Sequence, residues 1–203
     1  MKYTIIVLLL LLVNFSSWAA DDYDAKVIIH QNTLNNFLNA IGKISDKGKT
    51  KAAGMDLNYT WTVKNPRIQI EPSKAKFISD VAVDMGLFNY DTQAKGDVDI
   101  DYDAITNAIK VNIKKVTFEL FFKFLGNKIH IADVDISGFY HPKFEFAGPQ
   151  PIQSKAEIIL PNGETKKIYL STIKSNIYLE QNQIVVASNV AFTDHPPAQL
   201  KGK

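Results

Sequence analysis

An unbroken alternation from Phe88 to Tyr102 constrains this chain more than any other feature. Phe88, Tyr90, Thr92, Ala94, Gly96, Val98, Ile100 and Tyr102 share one face, and Asn89, Asp91, Gln93, Lys95, Asp97, Asp99 and Asp101 share the other. A period of two marks a strand with one side in a core and one in water. Strands usually run five or six residues, whereas about 15 residues at about 3.4 Å each span roughly 50 Å. A sheet carrying such a strand has to curve or roll, and Gly96 offers a natural bend.

The same period recurs on both sides of it. Leu57, Tyr59, Trp61 and Val63 alternate until Asn65–Pro66, which reads as a break, and Ile68 and Ile70 follow. Glu71–Pro72–Ser73 is a turn, after which Phe77, Ser79, Val81, Val83 and Met85 line one strand face. Beyond Asp103–Asn107 come Ile109, Val111 and Ile113, and the pattern changes face at Lys114–Lys115, the place for a β-bulge. Val116, Phe118, Leu120, Phe122 and Phe124 carry it to Gly126–Asn127, a hairpin turn, and Ile129, Ile131, Val134 and Ile136 return. Gly138 to Pro151 is irregular, yet Phe139, Tyr140, Phe144 and Phe146 tie it to a core. The last third again reads as strands: Ile158 with Leu160, a Pro161–Asn162–Gly163 turn, Ile168 with Leu170, Ile177 with Leu179, and Ile184 to Phe192.

One segment has the period of a helix. Leu34, Phe37, Leu38, Ile41 and Ile44 form an apolar face, with Asn32 or Thr33 as cap and Asn35, Asn36, Asn39 and Lys43 on the opposite side. Burial of Phe37 against the sheet follows from that phase. Ser45 to Gly54, rich in charge and glycine, reads as a mobile loop, and Val27 to Ile29 as a first strand. The fold class is therefore α+β, mostly β: a long curved antiparallel meander sheet packed on one N-terminal amphipathic helix. Residues 20–193 form a single domain, with 194–203 as a disordered tail.

The first 19 residues read as a secretory signal peptide. Lys2 precedes an apolar run of about nine residues from Ile5 to Val13, and Ser17 and Ala19 put small side chains ahead of a cut before Ala20. Asn14, Ser16 and Ser17 interrupt the segment well short of the roughly 20 apolar residues a membrane-spanning helix needs. This implies an exported protein, periplasmic in a double-membraned cell and otherwise secreted, with no transmembrane anchor after cleavage. About 184 residues remain with a charge near +1, which gives no general attraction to nucleic acid. There is no cysteine, so the exported domain rests on its core alone and thiol chemistry is absent.

Catalytic and metal-binding signatures are missing. Asp97, Asp99, Asp101 and Asp103 resemble a calcium loop, but Tyr102 and Ala108 stand where glycine and glutamate are required. Neighbouring members lie about 6.8 Å apart along a strand. His30, His130, His141 and His195 form no ligand-spaced pair, and no nucleophile elbow or phosphate loop occurs. The expectation is a non-enzyme without cofactor or metal. Aromatic residues are concentrated in the middle of the chain, and Phe121 makes both faces of its strand apolar, leaving one face for a ligand or a partner.

The helix from Leu34 to Ile44 and the strand series from Phe77 through Ile136, with Asp97–Val98–Asp99–Ile100 leading into a short hairpin, resemble the tubular lipid-binding (TULIP) superfamily. The likeness is to its small bacterial periplasmic members of unknown function. It covers a little over half of the mature chain. It implies an apolar ligand, a lipid or acyl chain, held between helix and sheet without catalysis. The lining expected for such a ligand is Phe37, Ile41, Val81, Val83, Met85, Tyr90, Val98, Ile100, Phe118 and Phe122. The other reading is an envelope adaptor acting on a protein partner through long strand edges or an apolar patch.

Overall fold

A computed structural model of the chain describes residues 22–196 apart from 53, 87 and 150–154. The segment read as a signal peptide and residues 197–203 of the expected tail lie outside them. The chain runs β1 (Ala25–His30), α1 (Gln31–Ile41), β2 (Ile44–Ala52), β3 (Met55–Glu71), β4 (Lys74–Asp84), β5 (Asn89–Asp103) and β6 (Ala108–Phe124). It continues with β7 (Asn127–Asp135), β8 (Lys143–Ala147), β9 (Lys155–Ile159), β10 (Thr165–Glu180) and β11 (Gln183–Thr193).

The meander is continuous from β2 to β7, each strand antiparallel to the next, and β8 pairs with the first half of β6. Its first and last strands approach within 8 Å between Cα atoms, so the sheet is curled into a half-barrel. β5 is the 15-residue strand that the alternation required. The bulge falls where the pattern changed face: Lys95 pairs with Thr117 but Asp97 with Lys114, and Lys115 has φ 47°. Gly96 sits opposite. A methyl group there would come to 3.0 Å from the Lys114 carbonyl oxygen and from Val116 Cγ2, so a side chain fits only if these neighbours yield by a few tenths of an ångström.

A second, smaller sheet has the order β1-β11-β10-β9. It lays Ile29, Ile184 and Val186, with Val27, Ile177 and Leu179, against the core that the half-barrel encloses. At its far end Ile158, Ile159, Ile173 and Phe192 are exposed, Phe192 at 70%.

The structure departs from the sequence expectation at several places: Ile44, read on the helix face, opens β2, and Gly138 to Pro151, read as irregular, holds β8. The helix begins three residues earlier, directly after β1, so neither Asn32 nor Thr33 caps it. The Gln31 amide instead donates to the Asn182 carbonyl at 2.8 Å. Ser45 to Ala52 belongs to a strand, not a loop, paired with β3 from Ile44↔Val63 to Ala52↔Met55. Its lysines and glycine suit an edge strand, where charge discourages further pairing, and Gly48 makes room for the Tyr59 ring lying across it. Asn65–Pro66 does not end a strand. It forms a bulge, with Asn65 at φ 49°, inside a 17-residue β3.

β2 covers β3 only as far as Val63, and α1 covers what is left. Asn35 Oδ1 accepts the Ile68 amide and Gln31 Oε1 accepts the Ile70 amide, both at 2.7 Å, while the Asn182 amide donates to the Ile70 carbonyl at 3.0 Å. Asn35 is therefore not a solvent-face residue. Spaced one helical turn apart, Gln31 and Asn35 replace a missing strand. Leu34 and Leu38 beside them are fully buried. Phe37 and Ile41 are not: they flank the seam and stay 42% and 39% exposed, which corrects the expectation that Phe37 is sealed against the sheet.

Candidate functional site

The open apolar flank of α1 meets a knuckle of chain between β7 and β8. Asp135 Oδ1 accepts the Ser137 amide at 2.8 Å, and Ser137 Oγ accepts the Val116 amide at 2.9 Å. The Ser137 hydroxyl and, after it, the Ser137 amide hold the Asp135 carboxyl below its ordinary pKa. The amides of Phe139 and Tyr140 both donate to the Ile136 carbonyl, and the Ile113 amide donates to the Pro142 carbonyl at 3.3 Å. The backbone is thereby fastened to β6 and β7, which sets the next two side chains in opposite environments. Phe139 is 61% exposed with its ring 6.0 Å from Trp61, while Tyr140 is 1% exposed and packs 5.2 Å from Phe77.

Between helix and knuckle lies a cleft of about 250 Å³ lined by Ile41, Ile44, Phe139, Tyr140, His141 and Pro142. One helical turn from Ile41, Phe37 packs its ring tilted against Phe144 with ring centres 4.6 Å apart. No acidic or lysine side chain lines it. His141 Nδ1, 2.9 Å from the Ser137 carbonyl oxygen, is turned back onto the knuckle. A wall of this kind favours apolar carbon over any charged substrate. Burial pushes the Tyr140 phenol far above its ordinary pKa, and its hydroxyl has no hydrogen-bond partner.

The ten residues expected to line a ligand site are divided among separate places. Val81, Val83 and Phe118 are sealed in the core. Met85, Tyr90, Val98 and Ile100 are half-buried against the same core, and Phe122 is half-buried near the β6–β7 hairpin. Met85 also borders a cleft of about 740 Å³ whose wall mixes Leu57 and Tyr59 with Lys47, Lys49, Asp56 and Asp84. Of the ten, only Ile41 lines the cleft at the knuckle; Phe37 lies exposed one helical turn from it. The residues that complete it (Ile44, Phe139, Tyr140, His141 and Pro142) escaped the sequence reading, although two adjacent aromatics in a glycine- and proline-rich stretch were a signal for them.

Phe121, set apart in the sequence as an outward aromatic, serves packing. It is buried, its ring centre lies 4.1 Å from that of Tyr90, and the Lys128 amine sits 4.2 Å above it. Its amide donates to the Tyr90 hydroxyl at 2.9 Å where β6 parts from β5. The aspartates of β5 face outward. Asp99 pairs with Lys114, and Asp103 accepts from Lys110 at 2.8 Å. Among the described residues no group of three or more His, Asp or Glu is arranged to hold a metal, and no helix is long and apolar enough to cross a membrane.

Comparison with known proteins gave no match: no family model, no curated protein and no solved structure matches this chain.

Proposed function

We propose that this chain is an exported cell-envelope protein that binds or carries an apolar ligand, a lipid or acyl chain, and performs no catalysis. The observation that carries the reading is the pair of uncovered apolar side chains Ile41 and Phe139 at a cleft free of acidic and lysine side chains, with Phe37 exposed one helical turn along from Ile41. Large apolar groups left in water are costly, at about 25 cal/mol per Å², and a cluster of them beside a concavity marks a binding surface more than chance exposure does. A helix on a strongly curled sheet is also the arrangement that the tubular lipid-binding resemblance implies. Burial of one methylene contributes about 0.8 kcal/mol, so a ten-carbon chain brings about 8 kcal/mol before ordering costs, which limits binding to roughly micromolar. Native mass spectrometry of protein purified from its own host tests the reading. A retained lipid-sized mass supports it, and bare protein in every charge state contradicts it.

A second reading, an envelope adaptor that grips a protein partner, draws on the far end of the small sheet. There Ile158, Ile159, Ile173 and Phe192 are uncovered, and among the described residues β9 pairs with β10 only along Thr165–Tyr169. Bare protein in the same mass spectrum turns the argument toward this surface.

A further inference from the structure

We infer that Tyr140 is a removable plug: its side chain fills an inner apolar site that continues the cleft at the knuckle, and the ligand enters by displacing it. The inference rests on the apolar-ligand reading and names the depth of that site and the chemistry of its occupant.

Two buried side-chain oxygens in the described residues have no hydrogen-bond partner, Tyr140 OH and Ser79 Oγ. An unpartnered buried hydroxyl loses its water without replacement. Both belong to the same core, and Tyr140 also forms part of the cleft wall. The Tyr140 ring rests on Phe77, and in the strand register Phe77 faces Gly96 while Ser79, next along the same face, faces Ala94. Ser79, Ala94 and Gly96 are small residues side by side, so the inner wall is shallow where a large ring is lodged. Beyond them on the same face lie Val81 and Val83, with Phe118 opposite Ala94. These are three of the residues the sequence marked as lining, now covered.

The backbone that carries Tyr140 is held by the Ile136, Val116 and Pro142 bonds, so the change required is a rotation of one side chain. Outward rotation gives the phenol hydroxyl water to bond with, and Ser79 Oγ, two residues from Phe77 along β4, is the other unpartnered oxygen of that wall. The buried end of the occupant is therefore apolar with at most one uncharged oxygen, because no charged side chain is buried there to meet a carboxylate or phosphate. A fatty alcohol or an ester-linked chain fits this description. A free fatty acid would have to leave its carboxylate at the mouth.

In such a two-state arrangement the observed affinity is reduced by the fraction of molecules with the plug in place. Titration with the neutral apolar dye phenylnaphthylamine, on the full mature chain, reads that fraction. Tyr140→Ala should bind about tenfold more tightly than wild type or better. Tyr140→Phe, which keeps the ring and removes the stranded hydroxyl, favours the plugged state and should bind about tenfold more weakly while unfolding at a higher temperature. A purely structural tyrosine would change the unfolding temperature and leave the dye affinity alone. Equal affinities of wild type and Tyr140→Phe overturn the plug while leaving a binding cleft in place, and this holds even if Tyr140→Ala fails to fold. Absence of dye binding in wild type and both variants overturns the cleft reading, and the plug falls with it.

Discussion

The two sides of α1 are both apolar, and they are treated differently. On the side facing β3, Leu34 and Leu38 are fully buried, flanked by Gln31 and Asn35, whose side chains accept the free edge of the strand. On the side facing the knuckle, Phe37 and Ile41 keep about two fifths of their surface in water. Where backbone amides would otherwise be stranded, the chain has sealed the contact with hydrogen bonds of fixed geometry, because an unpaired buried amide is costly. Where only carbon meets carbon, nothing compels closure. A surface that can stay open without violating hydrogen-bonding requirements is where a ligand can be accommodated.

Stability measurements can break this contrast. Leu38→Ala should lower the unfolding free energy by about 2 to 5 kcal/mol in urea denaturation, the usual range for a fully buried leucine. Asn35→Ala comes next, at about 1 to 3 kcal/mol, since it strands the Ile68 amide. Asn36→Ala, one residue along on the exposed face, should change stability by less than about 0.5 kcal/mol. Similar losses for the two asparagines would show that the edge capping has been misjudged.

Phe37→Ala sharpens the contrast from the other side. Half-exposed and stacked on Phe144, the ring should contribute only about 1 to 2 kcal/mol to folding. A loss as large as that of Leu38→Ala would mean that the open flank is closed in solution.

The strands were legible in the sequence because alternation is a local signal. The 15 residues of β5 and the bulge at Lys115 follow from period alone, while the hairpin read at Gly126–Asn127 turns one residue earlier, at Leu125–Gly126, with Asn127 already in β7. β2 was not legible. Lys47-Gly48-Lys49 has loop composition, and it becomes a strand because the Tyr59 ring from β3 fills the space above Gly48. Pro66 looks like a breaker, yet its missing amide costs nothing inside a bulge where pairing with β4 is already interrupted. In the helix, the 3.6-residue period identifies an apolar face but cannot say which half of that face meets the sheet. Phe37 and Leu38 are adjacent in sequence and have opposite fates. The knuckle was the hardest part to foresee, because its cleft joins α1, β2 and the segment after β7, which only the curl of the sheet brings together.

The smallest expected effect lies far from this contrast, at the β5–β6 turn. The Lys110 amine, followed by bonds from Thr106 and Ile105, holds the Asp103 carboxyl well below its ordinary value of 3.8. A carboxyl lowered in the folded state contributes stability that is fully present above its unfolded pKa and is lost as pH falls toward its folded one. Asp103→Asn should therefore lower the unfolding temperature slightly at neutral pH. The gap from wild type should narrow as pH drops below 3.8. A gap independent of pH would assign the effect to the turn's hydrogen bonds alone.

The central claim is that apolar ligands bind at the open flank of α1 and not along its sealed one. Methyl-resolved NMR of the mature chain during titration with dodecanol tests it most directly. The account predicts saturable shifts at Ile41 and Ile44, extending to Val81 and Val83 as the Tyr140 ring gives way, with Leu34 and Leu38 unmoved. Shifts confined to Ile158, Ile159 and Ile173 at the far end of the small sheet, or no saturable shifts at all, would contradict it.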